Sequence, residues 1–230
     1  VPPYADGRYL PPGVTVARGT SLRLAVIGDS GAAGLGADSP ATTPGGTLAT
    51  ELAAASGRTV LLTNTAVVGA RSRDLEAQVD RVLHVRPHVA VIMIGANDVT
   101  HLTRPQHSVR LLGDAVRRLR EAGCEVVVGT CPDLGTVRPL STPLRQVARR
   151  MSRELAAAQD IAVRGAGGRP VPLAVLLAEA FEADPERFFS ADQFHPSAVG
   201  YRACAHALLP AVLAAVGLAS DGDVPALPAP

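Results

Sequence analysis

The residues best suited to chemistry in this 230-residue chain fall in four short segments. The first is Gly28-Asp29-Ser30-Gly31, with Gly34 and Gly36 close behind. A serine on a tight turn between a strand and a helix has its hydroxyl held clear of the sheet. Its backbone N–H then lies near a helix N-terminus, which suits a nucleophile attacking a carbonyl. The last segment is Asp192-Gln193-Phe194-His195-Pro196. On a compact turn Asp192 can reach Nδ1 of His195 and leave Nε2 free, the orientation a general base requires. Between these lie Gly69, whose N–H a ligand can approach closely, and Asn97 in Gly95-Ala96-Asn97-Asp98. The neutral Asn97 amide can hold a developing oxyanion. Taken together, the segments hold the parts of an acyl-transfer site. Taken singly, each has a plain structural explanation: a glycine-rich loop, a turn, and two helix caps, one beside a surface imidazole.

The elements that must position these residues can be read from apolar runs. Leu22 to Ile27, Val60 to Thr63, Val89 to Ile94 and Glu125 to Gly129 have strand length. A weaker fifth strand lies at Ile161 to Val163 or near Val171. The runs are almost continuously apolar, as parallel strands covered on both faces are. Helical spacing appears in Leu48 to Ala55, Ser108 to Glu121 and Ser141 to Ala158. A last helix is expected over Pro196 to Val216, with Pro196 in its first turn. Alternating strands and helices predict a doubly wound α/β sandwich around a mostly parallel five-stranded sheet. Active sites of such sheets form beyond the carboxyl ends of the strands, where these segments fall. Residues 1–20 are expected to form an extended arm, 21–218 a single catalytic domain, and 219–230 a disordered tail.

These motifs, in this order, resemble the SGNH hydrolase superfamily of GDSL-type esterases and lipases. Its four letters match Ser30, Gly69, Asn97 and His195, and its first, third and fifth blocks match Gly28-Asp29-Ser30, Gly95-x-Asn97-Asp98 and Asp192-x-x-His195-Pro196. The resemblance spans about Leu22 to Val216 and implies a flavodoxin-like fold. It also implies a serine ester hydrolase with Ser30, His195 and Asp192 as triad. The N–H groups of Ser30 and Gly69 and the Asn97 amide would hold the oxyanion, with Asp29 and Asp98 in support. An acyl-enzyme mechanism of this kind needs no metal or cofactor. Gly31-Ala32-Ala33-Gly34 departs from the usual continuation of the first block, which suggests a more open turn. Small or short-chain acyl esters are the expected substrates. Sugar acetyl esters, lysophospholipids and thioesters are the alternatives within the family. An α/β domain that only binds an acyl or phosphate ligand is the alternative outside it.

Other candidates carry less. His101 could line the cleft, whereas His84, His88, His107 and His206 fit surface or structural roles. Arg71 and Arg73 fit a solvated helix start better than an anion site. A Cys131 nucleophile would need its own base. Cys124 and Cys131 flank one strand and would lie roughly 20 Å apart at about 3.3 Å per residue, too far for a disulfide. No glycine pattern of a dinucleotide or P-loop site is complete, and none of the 22 basic residues is Lys. The net charge of +1 gives no reason to expect nucleic acid or an anionic membrane as partner. The run Ala203 to Leu218, broken by His206 and Pro210, falls short of an integral membrane segment. Nothing demands more than a monomer. The chain opens at Val1 on a proline-rich stretch, which leads us to expect export or anchoring through a preceding segment, with the cytoplasm as the alternative.

Overall fold

The computed structural model describes residues 1–15, 19–139 and 141–218, so the expected tail lies outside the described residues. Five parallel strands follow the sequence runs closely. They are β2 (Leu22–Gly28), β3 (Val60–Asn64), β4 (Val89–Met93), β5 (Glu125–Gly129) and β6 (Arg169–Val171). The sheet has a sixth strand that the sequence reading missed. Gly7–Tyr9 forms β1, which pairs antiparallel with β3 at the edge. The expected arm is therefore partly sheet. Three residues with one partner are too short to show periodicity. Ile161 to Val163 is not a strand but belongs to a 22-residue helix, α6 (Leu144–Gly165). A β-branched pair at the end of a helix looks the same as a short strand in sequence.

The helices between the strands are α1 (Ser30–Ala33), α2 (Pro44–Ser56), α3 (Leu75–Leu83), α4 (Ala96–Thr100) and α5 (Pro105–Glu121). After α6 come α7 (Leu173–Ala183), α8 (Pro185–Phe188) and α9 (Ala198–Ala215). Alternation along each strand sends side chains to opposite faces. Leu24, Val26, Val91, Met93 and Val127 join α2, α7 and α9 in one core. Ala25, Ile27, Ala90, Ile92, Val126 and Val128 join α3 and α5 in the other. Burial on both faces is why the strands are apolar at every position.

The strand order is β1-β3-β2-β4-β5-β6. Its parallel part is the flavodoxin order, in which the chain reverses direction across the sheet at β2. The loops leaving β2 and β4 therefore diverge to opposite faces and open a crevice between their carboxyl ends. α9 starts two residues later than expected: Ser197 caps it by accepting from the Gly200 N–H, and Pro196 instead bridges to Phe189. By length and mean hydropathy (1.3) α9 alone among the described helices could cross a membrane, but Tyr201, Cys204, Ala205, Leu208 and Val212 form a buried stripe against the core.

Candidate active site

Ser30 is the first residue of α1, directly after β2. The turn into it is unusual. Gly28 has φ +144°, and a Cβ there would come within 1.9 Å of the Met93 carbonyl oxygen. Only glycine permits this approach between β2 and β4. Asp29 caps α1, accepting from the Gly31 N–H at 2.9 Å, which leaves the Ser30 N–H without an intrahelical partner. The Ala32 and Ala33 side chains that follow are fully buried in the core. Asn64, at the end of β3, braces the same helix by donating from Nδ2 to the Ala32 carbonyl at 3.2 Å.

The loop before α9 is drawn into a tight ring. Ser190 N–H donates to the His195 carbonyl at 2.8 Å, and Gln193 adopts φ +54° at its tip. Within the ring, Asp192 Oδ1 accepts from the N–H groups of Phe194 and His195 and from the Ser190 hydroxyl. Its Oδ2 faces Nδ1 of His195 at 2.6 Å. Partial burial alone would raise the Asp192 carboxyl, but these hydrogen bonds outweigh it and hold the group well below the usual carboxylate range. Nε2 of His195 lies 3.0 Å from Ser30 Oγ. The serine loop and the ring also touch through Gly36 (φ +101°), where a Cβ would come within 2.8 Å of the Pro196 carbonyl oxygen. Tyr201, buried on α9, donates to the Leu35 carbonyl at 2.6 Å and ties the two loops from behind.

The other candidates form a second cluster. Asn97 donates from Nδ2 to the Ala70 carbonyl at 3.0 Å, joining the β4 exit to the loop that carries Gly69. Asp98 is buried and strengthens that junction. Its Oδ2 accepts from the N–H and hydroxyl of Ser72, and its Oδ1 from the Ser108 hydroxyl. The Gly69 loop is pinned to the nucleophile strand by Val67 N–H donating to the Gly28 carbonyl at 3.0 Å. Gly69 itself is exposed, with φ +82°.

Asp29 is buried beside Ser30. Loss of water raises its carboxyl to about 7, against the lowering effect of the Gly31 and Ala32 N–H groups. Cys131 is wholly buried, and burial pushes its thiol well above the ordinary value, which does not suit a nucleophile. His101 is exposed and turns Nδ1 back to the Asn97 carbonyl at 2.9 Å. Arg73 is exposed beside Asp74. All three cysteines are free and buried. Among the described residues no three His, Cys, Asp or Glu side chains converge as a metal site would require.

Sequence reasoning gave no role to Ser190, Tyr201 or Gln78. The Gln78 amide is buried and bonds both the N–H and the carbonyl of Gly28, at 2.7 and 2.9 Å. A glutamine on the core-facing stripe of α3 is the one signal that could have drawn attention to it. Also unforeseen is an apolar cavity of about 110 Å³ that opens on Ser30 and His195.

The model of the GDSL-like lipase/acylhydrolase family matches residues 26–203. The GDSL-like esterase Rv1075c of Mycobacterium tuberculosis is 46% identical over 214 residues, covering 90% of this chain and 68% of that protein. Among solved structures, TesA superposes with a TM-score of 0.66 at 22% identity, over 86% of this chain and 99% of that one. The lipase/acylhydrolase from Enterococcus faecalis gives 0.63 at 22%, over 82% and 93%. A single-residue mutant of Axe2, an acetyl-xylooligosaccharide esterase from Geobacillus, gives 0.62 at 19%, over 85% and 94%. Identities this low speak for a shared fold. Sequence and fold together place the chain: it belongs to the GDSL-like lipase/acylhydrolase family, as a serine esterase of the SGNH type.

Proposed function

We propose that this esterase is a carboxylesterase for small or short-chain acyl esters, with Ser30 as nucleophile, His195 as general base and acid, and Asp192 as its orienting partner. The observation that carries the reading is the unbroken hydrogen-bonded line from Asp192 Oδ2 through His195 to Ser30 Oγ. Ser30 Oγ bonds to the acyl carbon as its proton passes to Nε2 of His195. Asp192 holds Nδ1–H and stabilises the imidazolium that forms. The carbonyl electrons move onto oxygen, opposite the Ser30 N–H, the Gly69 N–H and the second N–H of the Asn97 amide. Collapse of this intermediate expels the alcohol, which takes its proton from His195. Water repeats the cycle on the acyl-enzyme and frees the acid.

A fluorophosphonate tests the reading on the whole chain. A single adduct on Ser30 is expected, with esterase activity lost in step. Ser30→Ala should take no label, lose at least about 10⁴-fold in kcat and melt as the parent does. A labelled residue other than Ser30, or an unlabelled parent, would overturn it.

A further inference from the structure

The cavity behind the serine carries information about the acyl group. It lies between the carboxyl ends of β4 and β5 and helices α7 and α9. Met93, Leu173, Leu177, Phe181, Phe189 and Cys204 supply its apolar wall, and Ser30 and His195 stand on its edge. Apart from Ser30 and His195, the polar side chains on the wall each already make a hydrogen bond, Asp29 accepting from the Gly31 N–H. The Tyr201 hydroxyl donates to Leu35, the Thr130 hydroxyl to Val171 and the Thr136 hydroxyl to Asp133. Asp133 accepts from Gly135 and pairs with Arg149 and Arg153. A hydroxylated or charged acyl chain would have to compete with these bonds and would lose its water, at a cost that hydrocarbon avoids.

Size sets a second limit. An apolar protein cavity of roughly 150 Å³ takes one benzene, six carbon atoms. By the same measure this cavity, at about 110 Å³, takes about four. Its wall is also thin in one direction. Thr130 and Ala178 line both the cavity and an open cleft on the outer side of α7. Leu177 on α7 and Cys204 on α9 are the wall residues to vary, since shortening one or lengthening the other leaves the loops of Ser30 and His195 untouched.

We propose that this cavity is the acyl site, that it is matched to an unbranched hydrocarbon acyl group of about four carbons, and that Leu177 and Cys204 set that length. The proposal rests on the ester hydrolase reading above. The test is a series of p-nitrophenyl esters from acetate to octanoate. In the parent protein kcat/KM should rise about fourfold for each methylene added up to butyrate, which corresponds to about 0.8 kcal/mol per buried CH₂, and fall at least tenfold by octanoate. Leu177→Ala should move the maximum to hexanoate or beyond. Cys204→Met should lower the butyrate-to-acetate ratio at least tenfold. Melting curves establish that each variant is folded, and if one is not, the other decides. A profile flat or rising through octanoate in the parent, an unmoved maximum in folded Leu177→Ala, or an unchanged butyrate-to-acetate ratio in folded Cys204→Met, would overturn the proposal. Fluorophosphonate labelling separates the two levels. A protein labelled on Ser30 with a flat profile refutes the acyl site alone, whereas one that takes no label refutes the hydrolase reading beneath it.

Discussion

Nε2 of His195 lies 3.0 Å from the Oγ of Ser30, although the two residues are 165 positions apart in the chain. Neither residue is held there by its own loop alone. The serine turn leans on β4 through Gly28, and the histidine ring leans on the serine loop through Gly36 and Tyr201. Weakening one of those supports should therefore be felt at the chemistry.

Gly36→Ala should lower kcat about tenfold or more, with a fall in melting temperature from its backbone at φ +101°. Its Cβ would press on the Pro196 carbonyl oxygen and on Ser190 Oγ, displacing the ring that carries His195, and small misplacements of a general base cost rate steeply. Tyr201→Phe removes one buried hydrogen bond and should cost about 1 kcal/mol of stability. Comparison of kcat with KM checks the first, where the loss should fall on kcat, and a melting curve checks the second.

Asn97→Ala should reduce kcat by about 10²–10³ with KM little changed, the signature of a lost oxyanion donor. Asp98→Ala should act differently. It strands two donors of Ser72 and one of Ser108 in a buried site, and each costs about 1–3 kcal/mol. A large fall in melting temperature is expected for Asp98→Ala and a small one for Asn97→Ala.

Asp192 makes folding sensitive to acid. Its folded-state pKa lies below that of the unfolded chain, so the stability it adds is present above the unfolded value and is lost as pH falls towards the folded one. Asp192→Asn should therefore be less stable than the parent near neutral pH, and the two melting curves should converge in strong acid. Its kcat should fall by roughly 10⁴ through the wrong histidine tautomer.

Asp29 acts with the opposite sign. Its carboxyl is raised to about 7, so the folded protein keeps a proton that the unfolded chain has already released. Stability should fall as pH rises from about 4 to 7, at up to about 1.4 kcal/mol per pH unit, and then level off. Asp29→Asn still accepts from Gly31 and has nothing to ionise, so its stability over that range should be nearly flat. Thermal melts of both proteins across the range give the answer. An unchanged slope in the variant would place the pH dependence elsewhere.

The apolar runs of β2 to β5 and the turn residues after them were legible because they are local. A strand buried on both faces needs apolar side chains at every position, and a turn like that at Gly28 excludes a Cβ. The order of the four motifs was legible for the same reason. Strand β1 was not, because three residues on an edge owe their conformation to Val60, Leu61 and Leu62 opposite them. The helical state of Ile161 to Val163 was hidden because β-branched residues favour strands until packing overrides them.

The sequence by itself determined the residue types at the site and the strand ends that carry them. Only the tertiary structure decided the distances between Asp192, His195 and Ser30, the clasp of Asp98 on Ser72 and Ser108, and the cavity under α7. Hydrogen bonds and voids between segments far apart in the chain depend on how whole helices and strands pack, and no local pattern of residues encodes that on its own.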